Sequence, residues 1–141
     1  MSKEKICSLK IFTDGASRGN PGNASIAFII EDEKGNVLEQ HSETIGVTTN
    51  NVAEYTAMIK ALKRATSHCR DQIHCFSDSE FMVDQLIGKD KVKKKHIKEL
   101  FLKVKELEKK FKRITYSHLS RKNSKIKKVD RLANKALDKS E

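Results

Sequence analysis

No stretch of this 141-residue chain approaches the ~18 consecutive apolar residues that a membrane-spanning helix needs. The N-terminal residues MSKEKICS also lack the apolar core of a secretory signal. These absences predict a soluble, cytoplasmic protein with no membrane partner. Cysteine is scarce, with Cys7, Cys69 and Cys75 forming an odd set without framework spacing, which argues against a disulfide scaffold and predicts reduced thiols. The run from His68-Cys69 to His74-Cys75 matches no usual zinc-finger or zinc-ribbon spacing. Cys75 also falls inside an apolar strand, so no metal is expected there. Internal repeats and linkers are lacking too, and the length suits one domain, taken as residues 1–141.

What the chain has in excess is positive charge. Lys and Arg number 29 against 19 Asp and Glu, a formal net charge of +10, and the pI is near 9.6. A polyanionic partner is the natural inference. Nothing marks an oligomer, and a monomer is the default expectation.

Patterning divides the chain into strands followed by alternating helices and strands. Apolar runs at residues 9–14, 24–30 and 36–47 are separated by short turn-rich segments, as in an antiparallel meander. The segment from Gly15 to Gly22 reads as a loop following the first strand. A helix opens at Asn50, where Tyr55, Met58, Ile59 and Leu62 repeat at the spacing of a buried face; one of Thr48, Thr49, Asn50 and Asn51 is its cap. Residues 73–77 form a fourth strand and residues 80–87 a short helix stopped by Gly88. The stretch 89–98 is strongly basic, and Ile97, Leu100, Phe101, Val104, Leu107 and Phe111 mark an amphipathic helix. A fifth strand at 114–119 precedes a closing helix carrying Ile126, Val129, Ala133 and Leu137. The order implies an α/β domain with a mixed sheet.

Four acids occupy notable positions on this frame. Asp14 and Asp78 each end an apolar strand, Glu54 lies in the first turns of a helix, and Asp130 lies near the start of the last helix. Carboxylates gathered in one place raise each other's pKa unless cations neutralise them. An acidic cluster free of lysine suits a hard divalent ion such as Mg²⁺, which takes oxygen ligands. Two such ions can activate a water and stabilise the leaving oxygen of a phosphodiester.

The segments TDGASRGNPG, TTNNVAEYTAM, SDSEFMVDQL and VDRLANKAL resemble, in order and at similar distances, the four motifs of type 1 ribonuclease H. The resemblance spans nearly the whole chain. It implies a ribonuclease H-like five-stranded mixed sheet, the first three strands antiparallel, flanked by helices. It also implies an endoribonuclease that hydrolyses the RNA strand of RNA/DNA hybrids, leaving 5'-phosphate and 3'-hydroxyl ends. Its metal ligands and catalytic residues would be Asp14, Glu54, Asp78 and Asp130, holding two Mg²⁺ ions with Asp14 bridging; Mn²⁺ stays open. By the same resemblance, Gly15, Asn20 and Asn50 face the RNA, and Thr49 and Asn51 lie near the DNA side. Double-stranded RNA stays open as a second substrate, and a non-catalytic binding module on the same fold is the alternative reading.

Departures from the family pattern bear on the substrate contacts. Glu80 stands where many relatives have Gln, and the loop 120–128 has no His, leaving Arg121 or Lys122 to substitute for it. The chain contains no Trp, so the basic stretch is not the Trp-bearing handle of some bacterial relatives. Lys91, Lys93, Lys94 and Lys95 are instead expected to give salt-sensitive affinity for phosphates without base readout.

Overall fold

The computed structural model describes residues 6–140. Three long strands come first: β1 (Ser8–Gly19), β2 (Gly22–Asp32) and β3 (Val37–Thr48). They pair antiparallel in chain order. Then follow α1 (Asn50–Ala65), β4 (Gln72–Ser77), α2 (Glu80–Leu86), α3 (Lys95–Glu108), β5 (Arg113–His118) and α4 (Ser124–Ser140). The last two strands run parallel, giving one sheet in the order β3-β2-β1-β4-β5. The expected mixed sheet with an antiparallel first half is present.

Period-two alternation sends the central strands into two cores. Leu9 and Ile11 of β1, with Phe28 and Ile30 of β2, pack under α1, α2 and α3. Phe12, Ala27 and Ile29 point the other way, onto Ile126, Val129 and Ala133 of α4. The predicted stripe of α1, including Tyr55, Met58, Ile59 and Leu62, is buried. Its N-cap is Thr49, whose hydroxyl accepts from the Val52 N–H at 3.3 Å, a contact worth about 1 kcal/mol. Gly88, with φ of +84°, follows α2 as expected of a stop residue.

Two readings need correction. The segment after Asp14 is not a loop: β1 continues through it, pairing Gly15 with Ile26 and Gly19 with Gly22. Turn-forming composition was outweighed by unbroken pairing with β2, and only Gly19 to Gly22 make the reversal, Gly19 taking a φ of +100°.

The cysteines are not all reduced. Cys7 and Cys69 form a disulfide with Cα atoms 5.9 Å apart, inside the normal range. Parallel pairing places Ser8 opposite Gln72, so the approaches to β1 and β4 run side by side; nothing in the linear spacing announces this. Cys75 is the free thiol among the described residues, buried in the core, where desolvation pushes its pKa up.

The disulfide spans 62 residues containing β1, β2, β3 and α1. Closing a loop of that length stabilises the folded state by roughly 4 kcal/mol through unfolded-chain entropy. Urea unfolding of the oxidised protein and of Cys7→Ser should therefore differ by about that amount, and a dithiol reductant should bring the wild type down to the variant.

Candidate active site

The site forms where the pairing of β1 with β4 ends. Parallel register aligns Thr13 with Ser77, so the next residues, Asp14 and Asp78, emerge as neighbours. Asp14 follows Phe12 by two and shares the sheet face covered by α4, which carries Asp130. Gly15 falls on the opposite face, against α1. A Cβ at Gly15 would lie 2.3 Å from the Ala53 carbonyl carbon, so glycine alone lets helix and strand come this close. The Gly15 N–H then donates to Glu54 Oε1 at 2.5 Å, fixing the second carboxylate.

Asp14, Glu54 and Asp78 each offer an oxygen within 4.8 Å of the others. Asp130 is exposed on the rim of the same cleft, a space of about 590 Å³, where Asn134 Nδ2 donates to its Oδ1 at 3.3 Å. The structure thus gathers all four predicted acids, three tightly and one at the edge.

This arrangement is electrostatically costly without a counter-charge. Asp14 is 4% exposed and Glu54 3%. Desolvation, reinforced by Glu54, Asp130 and Asp78, pushes the Asp14 pKa up to about 10. Desolvation and the Asp78 charge likewise raise Glu54 well above the usual carboxylate range, only partly opposed by the Gly15 N–H and Arg121. Asp14 Oδ2 and Thr13 Oγ1 are buried without a hydrogen-bond partner. An orphaned carboxylate oxygen among acids is what a hard cation with oxygen ligands would satisfy, and the donor set fits one.

The nearest basic group of the β5–α4 connection is Arg121, whose Nε lies 3.3 Å from Asp78 Oδ2 while its side chain is 88% exposed. Its guanidinium stands over the acids from solvent, on the loop where the sequence suggested Arg121 or Lys122. Other predicted contacts sort by position. Gly15 and Asn50 line the cleft. Asn20 Oδ1 accepts from the Asn50 N–H at 3.0 Å, tying the hairpin turn to the start of α1. Thr49 is engaged as the cap, and Asn51 is half-buried beside it. Lys93, Lys94 and Lys95 lie apart from the acids, the first two bordering a separate basic recess with Phe81, Lys89 and Lys91. Glu80 is exposed in the first turn of α2.

Sequence reasoning placed Lys127 only within a basic stretch, residues 120–128, and did not single out Arg131 or Asn134; all three line the cleft beside Asp130. The signal was available: positions 127, 130, 131 and 134 repeat at the spacing of one helical face.

A family profile described as reverse transcriptase-like matches residues 12–136. Ribonuclease HI of Halobacterium salinarum is 35% identical over 90% of this chain, which spans 63% of that relative. The crystal structure of RNase H1 from the same archaeon superposes with a TM-score of 0.88 at 33% identity, covering 94% of this chain and 98% of that one. The chain belongs to the type 1 ribonuclease H family. A second relative, a bifunctional protein of Mycobacterium tuberculosis, is 36% identical over 91% of this chain, which spans 35% of its length. LC11-RNase H1, solved in complex with an RNA/DNA hybrid, matches with a TM-score of 0.88 at 39% identity, covering 94% of this chain and 98% of that one.

The raised carboxyl pKa values fix the sign of the pH response. A folded pKa above the unfolded one contributes stability that is fully present below the unfolded value and is lost as pH rises through the folded value. For Asp14 that window runs from 3.8 to about 10. In chelator, the melting temperature should fall between pH 6 and pH 9, and Asp14→Asn should flatten the fall and melt higher than wild type at pH 9. Thermal unfolding across pH checks this; a wild-type curve flat over that range would contradict it.

Proposed function

We propose that this protein is a divalent-metal-dependent endoribonuclease that cuts the RNA strand of RNA/DNA hybrids. The observation that carries the reading is the trio Asp14, Glu54 and Asp78, drawn from three elements around a buried carboxylate oxygen that has no partner. Membership of the ribonuclease H family and the hybrid complex of the LC11 relative support the substrate class.

Asp14, Glu54, Asp78 and Asp130 would hold the metal, with Mg²⁺ the expected ion and two ions the expected loading. Bound there, the ions supply Lewis-acid activation of water and charge stabilisation at the leaving oxygen, which implies 5'-phosphate and 3'-hydroxyl products. The chain's own residues do the rest. Gly15 and its N–H hold Glu54 in place. Asn50, which lines the cleft and whose N–H is tied to Asn20 of the hairpin turn, would present a polar group to a minor groove in which 2'-hydroxyls distinguish the RNA strand. Arg121, Lys127 and Arg131 bring positive charge to the cleft, suited to phosphates on either side of the cut.

The decisive assay offers labelled RNA/DNA hybrid, duplex DNA, duplex RNA and single-stranded RNA in Mg²⁺, in Mn²⁺ and in chelator. Hybrid-selective cleavage should require the metal, and Asp14→Asn should lose about a thousandfold in rate, on the order of 4 kcal/mol of transition-state stabilisation. Tight hybrid binding without cleavage in either metal would leave only the binding-module reading.

The basic recess gives a separate expectation. Replacing Lys93, Lys94 and Lys95 together by Ala should lower hybrid affinity at low salt without changing the cut sites. The slope of log affinity against log salt should shrink by about 2 to 3 if each lysine neutralises one phosphate. An unchanged slope in a salt titration would remove these lysines from the interface.

A further inference from the structure

The thiol cluster at the far end of the sheet is a second place where ligand atoms converge. Cys7, Cys69 and Asp71 each offer an atom within 4.8 Å of the others. Cys7 Sγ lies 3.4 Å from Asp71 Oδ2, and the Cys7 N–H donates to the same oxygen at 3.0 Å. The Asp71 N–H in turn points at Cys69 Sγ, 3.4 Å away. We propose that, when the Cys7–Cys69 disulfide is reduced, Cys7, Cys69 and Asp71 bind a thiophilic divalent cation of the Zn²⁺ class.

Donor chemistry is the first argument. Two thiolates and a carboxylate are three protein ligands with a fourth position left to water, a set that zinc accepts and that Mg²⁺ does not favour. The Cys7 N–H and the Lys112 ammonium, on Oδ2 at 3.0 Å and Oδ1 at 3.5 Å, hold the Asp71 carboxylate turned toward the sulfurs.

The surroundings exclude the donors that linear order would have suggested. His74 Nδ1 is within 2.9 Å of Thr115 Oγ1, and Cys75 is buried in the core. His68 borders the same depression as Cys7 and Cys69, but its Nε2 is 2.9 Å from Glu39 Oε1. The site therefore draws one ligand from the approach to β1 and two from the approach to β4, which parallel pairing brings side by side.

The two states share one set of atoms and exclude each other. A dithiol reductant breaks the S–S bond, delivering two electrons and two protons to give two thiols and becoming a disulfide itself. Metal binding then displaces the thiol protons to solvent. In the reduced state the metal would clip the start of β1 to the start of β4, as the disulfide does in the oxidised state.

The test uses whole protein reduced by a dithiol and freed of reductant without air. One equivalent of Cd²⁺ should produce the ultraviolet thiolate-to-cadmium charge-transfer band, which carboxylates cannot give. Zn²⁺ should displace it and slow alkylation of Cys7 and Cys69. Cys7→Ser and Cys69→Ser should each diminish the band, Asp71→Asn should weaken binding by about tenfold or more, and the exposed Asp90→Asn should leave it unchanged. Circular dichroism confirms that each variant is folded, and the alkylation arm needs no variant at all. Absence of the band at equimolar Cd²⁺, or alkylation equally fast with and without Zn²⁺, would overturn the proposal.

Discussion

Mutual repulsion among Asp14, Glu54, Asp78 and Asp130 is the constraint that the surrounding structure has to overcome. Left to themselves, four carboxylates would separate or take up protons, and burial makes the charged forms costlier still. The fold holds them by geometry that none can relax alone. Asp14 is fixed by its pairing with Ala27 of β2 and by following Thr13, which pairs with Ser77 of β4, Glu54 by the Gly15 N–H, and Asp78 by its position at the close of β4, one residue before the Ser79 cap of α2. A cation would find its ligands already ordered by the chain, which is how this unfavourable arrangement would become a binding site.

Asp130 depends on a different support, since it rides on a helix that crosses only one face of the sheet. Three ties fasten α4 along its length. Lys125 Nζ meets the buried Glu31 at 2.5 Å, Ser25 Oγ donates to the Ala133 carbonyl at 2.7 Å, and Arg18 pairs with Asp138 at 2.5 Å. They lie before and after Asp130, so the helix cannot easily slide or tilt about that residue. The buried Glu31 partner and the buried Ser25 hydrogen bond matter more than the solvent-facing Arg18 pair, which water and salt screen. On the other flank, the pairs Glu43 with Lys60 and Glu39 with Arg64 join the outer strand β3 to α1 and are mostly of this weaker kind.

Much of this was legible in the chain, because the elements that matter have strong local signals. The stripe of Tyr55, Met58, Ile59 and Leu62 had one interpretation as a helix face, and the apolar runs leading to Asp14 and Asp78 marked the two neighbouring strands that carry them to the site. The extension of β1 through Gly15 to Gly19 was hidden, since three-dimensional pairing with β2 overrode a composition that favours turns. The Cys7–Cys69 bond was hidden for a related reason: it depends on the parallel register of β1 and β4, which brings together two cysteines 62 residues apart and which spacing does not encode. The contribution of Lys127, Arg131 and Asn134 was encoded as a helical repeat around Asp130, but the apolar stripe of the same helix dominates its pattern.

The charge distribution links the cleft to its proposed substrate. A net charge of +10 draws a polyanion from a distance, yet the cleft itself repels phosphate as long as its carboxylates are ionised and uncompensated. Arg121, over Asp78, offsets part of that repulsion, but its exposed side chain is screened by water. A cation held by these acids would remove the remaining barrier and supply charge of the sign the phosphodiester needs. On this reading, affinity and chemistry have separate origins. The lysines of the α2–α3 segment act at long range and are sensitive to salt, whereas entry of phosphate among the acids requires the metal. Hybrid binding should therefore survive removal of the metal in weakened form, while close engagement of the scissile phosphate should not.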